Sequence, residues 1–361
     1  NTNNEAGGKA YSLDAENELA QYVCTGCLNG TYYASDTEQL DRIKDLATKV
    51  SDKYLAQVAV YAREVAKMKD TPVVLLAILS TRNVSLVKEI FNRVINNTNQ
   101  LRNFVQMIRS GQFGRRSLGT ALRNLVRDWL ESKDGDQLFA GSIGQNPSFA
   151  DVIKMVHPKP ENATKAALYA YLIGKPVERF RSLPDKVRQY EKFKKGETQE
   201  IPDVPFRFLT SLTLTDEQWK KIGLDMPWDT LRQNINTLAR HNVFNDREAV
   251  KKVAAKLSNK TEVLKKSVFP YQLMTTYQNV EPTTPMEIKL ALQDALEYAT
   301  LNVPKIDGGI AVCVDTSGSM SSPITGNRGS ATTVTRCVDI ASLVASSLAR
   351  VNPDTTVFPF D

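Results

Sequence analysis

A chain of 361 residues that is 42% hydrophobic, 24% charged and 8% aromatic has ordinary globular composition, which excludes a disordered tail. No stretch approaches the roughly 18 uninterrupted apolar residues of a transmembrane helix, and four cysteines are too few for a disulfide framework, so a reducing, cytoplasmic setting is expected. The net charge of +6 comes from one block: residues 101–200 carry 18 Lys+Arg against 11 Asp+Glu, and the rest of the chain is nearly neutral.

Residues 1–10 (NTNNEAGGKA) have little to bury and predict a frayed terminus. Ser35-Asp36-Thr37-Glu38 is a capping box, followed by Leu40, Ile43, Leu46 and Val50 at helical spacing. Tyr54 to Met68, Val84 to Ile95, Leu101 to Ile108 and Leu118 to Leu130 read the same way. Later helices are expected over Ala163 to Ile173, Leu231 to Ala239 and Ala249 to Leu257, with Lys192–Asp203 as an exposed loop. Short helices joined by short turns, without strand alternation or a strict repeat, predict a degenerate HEAT-like α-solenoid over residues 1–283.

The pattern changes after that. Thr284-Pro285-Met286-Glu287 reads as a second capping box opening a helix that carries Ile288, Ala291, Leu292 and Ala295. The apolar run Ile310-Ala311-Val312-Cys313-Val314-Asp315, bounded by glycines, predicts a strand buried on both faces, as in a parallel sheet. An apolar helix with Val334, Cys337, Val338, Ala341, Val344, Ala345 and Leu348 follows, stopped by Asn352-Pro353. Thr356-Val357-Phe358 then resumes as a strand, completing one β-α-β unit in a second domain over residues 284–361.

Asp315-Thr316-Ser317-Gly318-Ser319-Met320 stands at the carboxyl end of that strand, where open α/β sheets place their ligands. Asp315, Ser317 and Ser319 supply a carboxylate and two hydroxyls from one loop, a hard-oxygen set suited to Mg²⁺. The bland alternative is an ordinary strand-to-loop turn. In the basic block, Arg115, Arg116, Arg123, Arg127, Lys154, His157 and Lys159 are candidate phosphate contacts, because clustered cations release counterions on nucleic-acid binding. There the alternative is a solvated basic helix face. No nucleophile–base pair, P-loop or acid–base carboxylate pair is found, so a non-catalytic protein is expected.

The D-x-S-x-S loop resembles the metal-ion-dependent adhesion site of von Willebrand factor A domains, whose remaining ligands come from later loops. Such a domain needs about 150 residues, so the A domain is expected to be cut short at Asp361 and its metal site to be half a site. The helical part resembles the TROVE module of the Ro autoantigen family. The resemblance rests on Glu18 to Gly26 leading to Gly30-Thr31-Tyr32-Tyr33, Gly114-Arg115-Arg116 to Asp128-Trp129, His157-Pro158-Lys159-Pro160, Met226-Pro227-Trp228 and Phe269-Pro270-Tyr271, in that order.

The resemblance implies a monomeric ring of helical repeats closed by the A domain. It implies Y-type small RNAs bound on the outer surface, with His157 matching the family's Y RNA contact. It further implies 3′ ends of misfolded RNAs bound through the ring, in RNA quality control, with an exoribonuclease as a partner in bacterial relatives. Relatives carry a Lys/Arg run between the D-W and H-x-K-P segments. Here that stretch is residues 139–146, shorter and uncharged, and Arg115, Arg116, Arg123 and Lys154 are the substitutes available. The competing reading is a protein-interaction scaffold that takes an acidic ligand on its A domain through Mg²⁺. Three other features have bland explanations: His241 as a helix-end cation, Cys24 and Cys27 as half-buried helix-terminal thiols, and Tyr32-Tyr33 as packing residues.

Overall fold

The structure, a computed structural model, describes residues 2–3, 8–26, 28, 35–143, 147–176, 180–324 and 333–361. They are mainly helical and form two compact units, Asn1–Phe208 and Leu209–Asp361. This division in packing falls inside the helical part, whereas the change of sequence pattern falls near residue 283.

The first unit opens on a small antiparallel bridge, β1 (Thr2–Asn3) against β2 (Lys9–Ala10), where composition predicts only fraying. Helix α1 (Ala15–Thr25) follows, then α2 (Asp36–Thr48), whose capping box forms as expected. The Ser35 hydroxyl accepts the Glu38 amide at 3.2 Å and the Glu38 carboxylate accepts the Ser35 amide at 2.7 Å. Helix α3 (Asp52–Glu64) ends one turn before the expected Met68. Its last-turn Arg63 is buried and donates to the carbonyls of Val94, Met68 and Lys69, which holds the chain in a turn there. Helix α4 (Thr71–Arg82) is apolar nearly all round and packs against α1, α2, α3 and the next two helices. A helix without a polar face belongs in a core, and α4 is the core of this unit.

Helices α5 (Val84–Val94), α6 (Thr98–Arg109), α7 (Gly119–Glu131), α8 (Gly135–Ala140), α9 (Phe149–Val156), α10 (Ala163–Leu172) and α11 (Asp185–Lys194) continue the array, and α12 (Phe206–Leu209) ends it. The expected loop from Lys192 is helical to Lys194 before it turns at Gly196. Phe139, Tyr190 and Phe208 form an aromatic cluster with ring centroids 4.6 to 5.8 Å apart.

The second unit carries α13 (Asp216–Asp225), α14 (Trp228–Gln233), α15 (Ile235–Arg240), α16 (Arg247–Leu257), α17 (Lys260–Lys265), α18 (Pro270–Asn279) and α19 (Met286–Ala299). The single helix expected from Leu231 to Ala239 is two. Asn234 breaks it by donating its side-chain amide to the Thr230 carbonyl at 2.8 Å, a local bond that competes with the helical ladder. The second capping box does not form. Pro285 is the N-cap of α19, and the Thr284 hydroxyl is buried without a partner, because Thr284 sits one residue outside the cap.

Strand β3 (Ile310–Asp315) pairs in parallel with β4 (Thr355–Phe360), Asp315 opposite Phe360, and α20 (Cys337–Val351) packs on both. The β-α-β unit is as expected, but burial on both faces is not. Only Val314 of β3 is buried, Cys313 is exposed, and Phe358 and Phe360 are about half exposed at 51% and 53%, since one helix covers a two-stranded sheet.

Candidate functional site

The basic block folds around α7 and α9. Helix α7 buries Leu122, Val126, Trp129 and Leu130, which leaves Arg123 exposed and Arg127, one turn later, half-buried. Helix α9 buries Phe149, Val152, Ile153 and Val156, which turns Lys154 outward. It starts at a capping box in which the Ser148 hydroxyl accepts the Asp151 amide at 3.1 Å. The Ser148 hydroxyl and amide hold the Asp151 carboxyl below the usual carboxylate range, with Lys154 and Arg109 adding to the effect.

Two bonds tie the two helices together at their carboxyl ends. Arg127 Nε donates to the Val156 carbonyl at 2.9 Å, and the Lys159 amide donates to Glu131 Oε1 at 2.7 Å. Between these anchors His157 closes α9 with φ of 50°, in the left-handed region usually left to glycine, while its amide donates to Ile153. His157 and Lys159 are exposed. Arg123, Arg127, Lys154, His157 and Lys159 thus all stand on one bonded pair of helices.

Arg115 and Arg116 belong to the turn before α7. Arg115 Nη1 donates to the Leu118 carbonyl at 3.4 Å, and Arg116 lies flat over Gly111, where a Cβ would stand 3.2 Å from its Nε. Arg116 is exposed and Arg115 half-buried.

Among the described residues of the block, two cations are not surface groups. Lys165 is 6% exposed, and its ammonium is held by the Glu131 carbonyl at 2.5 Å and the Glu161 carboxylate at 3.5 Å. Arg102 is 5% exposed. Glu131 was not singled out by the sequence. Its carboxylate fixes Lys159 and its carbonyl fixes Lys165, and no motif marks an acidic residue as the organiser of a basic loop.

At the carboxyl end of β3, Asp315, Ser317 and Ser319 do converge. The Ser317 amide donates to Asp315 Oδ1 at 2.9 Å, and the Ser317 and Ser319 hydroxyl oxygens lie 3.2 Å apart. Bonds from the Ser317 hydroxyl and amide hold the Asp315 carboxyl below its ordinary range, so it is anionic at neutral pH. Thr316 closes the loop against β4 through two bonds to the Phe360 carbonyl, from its amide at 2.8 Å and its hydroxyl at 2.7 Å. The donor set, one anionic carboxylate and two hydroxyls, fits a hard divalent cation such as Mg²⁺. Among the described residues no group of three or more His, Cys, Asp or Glu side chains could hold a metal.

The other candidates take structural roles. His241 stacks face to face on Trp219, centroids 3.9 Å apart and planes 9° apart, at the end of α15. Cys24 is a half-buried thiol in the last turn of α1, its pKa raised by burial. Cys27, Gly30 to Tyr33 and residues 144–146 lie outside the described residues.

No family model matches the chain. Among solved structures, the Ro (RSR) protein of Deinococcus radiodurans superposes with a TM-score of 0.70 over 96% of this chain and 75% of that chain, at 17% identity. The chain has the Ro fold. The mainly helical array and the β-α-β unit after it are therefore parts of one known architecture, although few residues are shared. Among the described residues, the α7–α9 surface and the D-x-S-x-S loop both gather chemistry-bearing side chains. No helix among the described residues is long and apolar enough to cross a membrane.

Proposed function

We propose that this chain is a non-catalytic RNA-binding protein of the Ro type, acting in RNA quality control as part of a ribonucleoprotein. The observation that carries the proposal is the set of exposed cations on α7, α9 and the segment after them, within a chain that has the Ro fold. Arg123, Lys154 and Lys159 offer separate charges to successive phosphates, and Arg127 and Glu131 hold the segment that presents Lys159. His157 offers an imidazole for stacking or for a phosphate contact. In the finer form of the proposal this surface takes a small structured RNA of the Y type, and 3′ ends of misfolded RNAs enter the ring that the Ro architecture implies. An exoribonuclease partner and a cytoplasmic location belong to the same reading.

Capture of cellular RNA on the immobilised chain, followed by sequencing with and without EDTA, tests it. Enrichment of structured small RNAs that survives the chelator supports the proposal. The competing scaffold reading, an acidic protein ligand held through Mg²⁺ at Asp315, Ser317 and Ser319, predicts no RNA enrichment and a protein ligand released by EDTA. Phosphate chemistry matches the charge of the α7–α9 surface, so RNA is the favoured ligand.

A further inference from the structure

A second cationic site lies in the first unit, lined by none of the exposed α7–α9 cations. A cleft of about 490 Å³ beside α2 is open and mixed in character, and an apolar cleft of about 330 Å³ beside Phe269 and Leu348 has nothing that says what covers it. A third cleft, of about 270 Å³, is different. The amino end of α6 (Asn97, Thr98, Asn99) lines it together with Lys133, Gln137 and Arg207, with the Trp129 indole as part of its wall and no carboxylate among the lining residues.

Four observations point the same way. The positive end of α6 faces the cleft, and helix amino ends favour anions. Lys133 stands 4.8 Å from the centre of the Trp129 ring, and Arg207 reaches the Ala140 carbonyl on the cleft wall. Behind that wall lies Arg102, 5% exposed, its guanidinium bonded to Asn99 Oδ1 and to the Ile143 carbonyl at 3.4 Å. Among the described residues, Arg102 Nη1 is buried with no partner. Burial and the neighbouring Arg207 both disfavour its charge, and no acidic group offsets them. An uncompensated buried guanidinium next to a second arginine costs stability in the ligand-free protein, so an anion is the natural complement.

We propose that this cleft is a phosphoryl-anion site, with Arg207 and Lys133 contacting the phosphate at the mouth and Arg102 supplying the buried positive charge behind it. Arginine forks and helix amino ends are the usual donors to such groups. The phosphate is either free or the terminal group of a nucleic acid. The site does not rest on the RNA reading, because its first test contains no RNA.

That test is calorimetric titration and thermal unfolding of the full chain with sodium phosphate, against sodium chloride at matched ionic strength. Phosphate is expected to raise the unfolding midpoint with increasing concentration, as a ligand of the native state does. Arg207→Ala is expected to weaken phosphate binding roughly tenfold, the loss of one charge-assisted bond. Arg102→Met is expected to abolish the phosphate response while leaving the phosphate-free protein at least as stable. Should Arg102→Met not fold, Arg207→Ala and Lys133→Ala read the same site from exposed and half-buried positions. Equal responses to phosphate and chloride, or a phosphate response unchanged in Arg207→Ala, would overturn the proposal. A single-stranded oligoribonucleotide with and without a 5′-phosphate then separates the sources. Tighter binding of the phosphorylated form, lost in Arg207→Ala, assigns a terminal phosphate; equal binding of both forms alongside a phosphate response assigns free phosphate.

Discussion

Arg127 on α7 donates its Nε–H to the carbonyl of Val156, the last residue of α9. One guanidinium thereby fixes the exit of α9, and with it the position of His157 and Lys159. Arginine is suited to this because its fork leaves further N–H groups pointing elsewhere after one bond is made. Arg127→Ala should cost about 1–2 kcal/mol of stability in urea denaturation, the usual worth of a hydrogen bond from a charged donor at a half-buried position. RNA affinity should fall further than for Arg123→Ala, whose side chain is exposed and whose loss should leave stability within about 0.5 kcal/mol.

His157 holds a left-handed backbone conformation that few L-residues adopt, although Asn, Asp and His do so more readily than most. His157→Gly should therefore leave stability unchanged or raise it by up to about 1 kcal/mol, while lowering RNA affinity. His157→Val should destabilise, because a β-branched residue is strained at positive φ. Thermal unfolding paired with RNA titration separates the backbone role from the imidazole's.

Both expectations concern residues whose importance was only partly legible in the chain. The helix periodicity, the Ser35 capping box and the β-α-β unit are local patterns, and local patterns can be read from spacing. Lys165 and Lys159 look alike in a sequence, yet one ammonium is buried against the Glu131 carbonyl and the other is exposed. The difference comes from how α10 packs on its neighbours, a tertiary fact. Thr284 shows the same limit on a smaller scale: T-P-M-E has the letters of a capping box, but the cap is Pro285. The apolar run of β3 likewise predicts two covered faces, and how many faces are covered depends on which elements lie beside the strand.

The amino end of α9 should be acid-sensitive. Asp151 has its folded-state pKa lowered, chiefly by the Ser148 hydroxyl. A depressed carboxyl stabilises the folded form fully above the unfolded value, near 3.9, and loses that contribution as pH falls through the folded value. Ser148→Ala should move the Asp151 titration upward toward the ordinary range and make α9 fray at a higher pH. Titration of the Asp151 carboxyl carbon by NMR in both proteins checks this, and an unmoved Asp151 would contradict it.

Mg²⁺ should bind at the Asp315 loop, and Asp315→Ala should abolish that binding in calorimetry, because it removes the only anionic donor of the set. Ser317→Ala and Ser319→Ala should each weaken it. Because none of the α7–α9 cations is a donor of this set, EDTA should leave RNA affinity within about twofold.

The most direct measurement is RNA affinity as a function of salt, with EDTA present, for the natural chain and for the triple variant Arg123→Glu, Lys154→Glu, Lys159→Glu. A plot of log affinity against log salt should fall with a slope of about 0.7–0.9 for each phosphate neutralised. The triple variant should bind more weakly and show a slope shallower by about 2–3, one step for each lost contact. Equal affinity and equal slope in the two proteins would contradict the assignment of RNA binding to the α7–α9 surface.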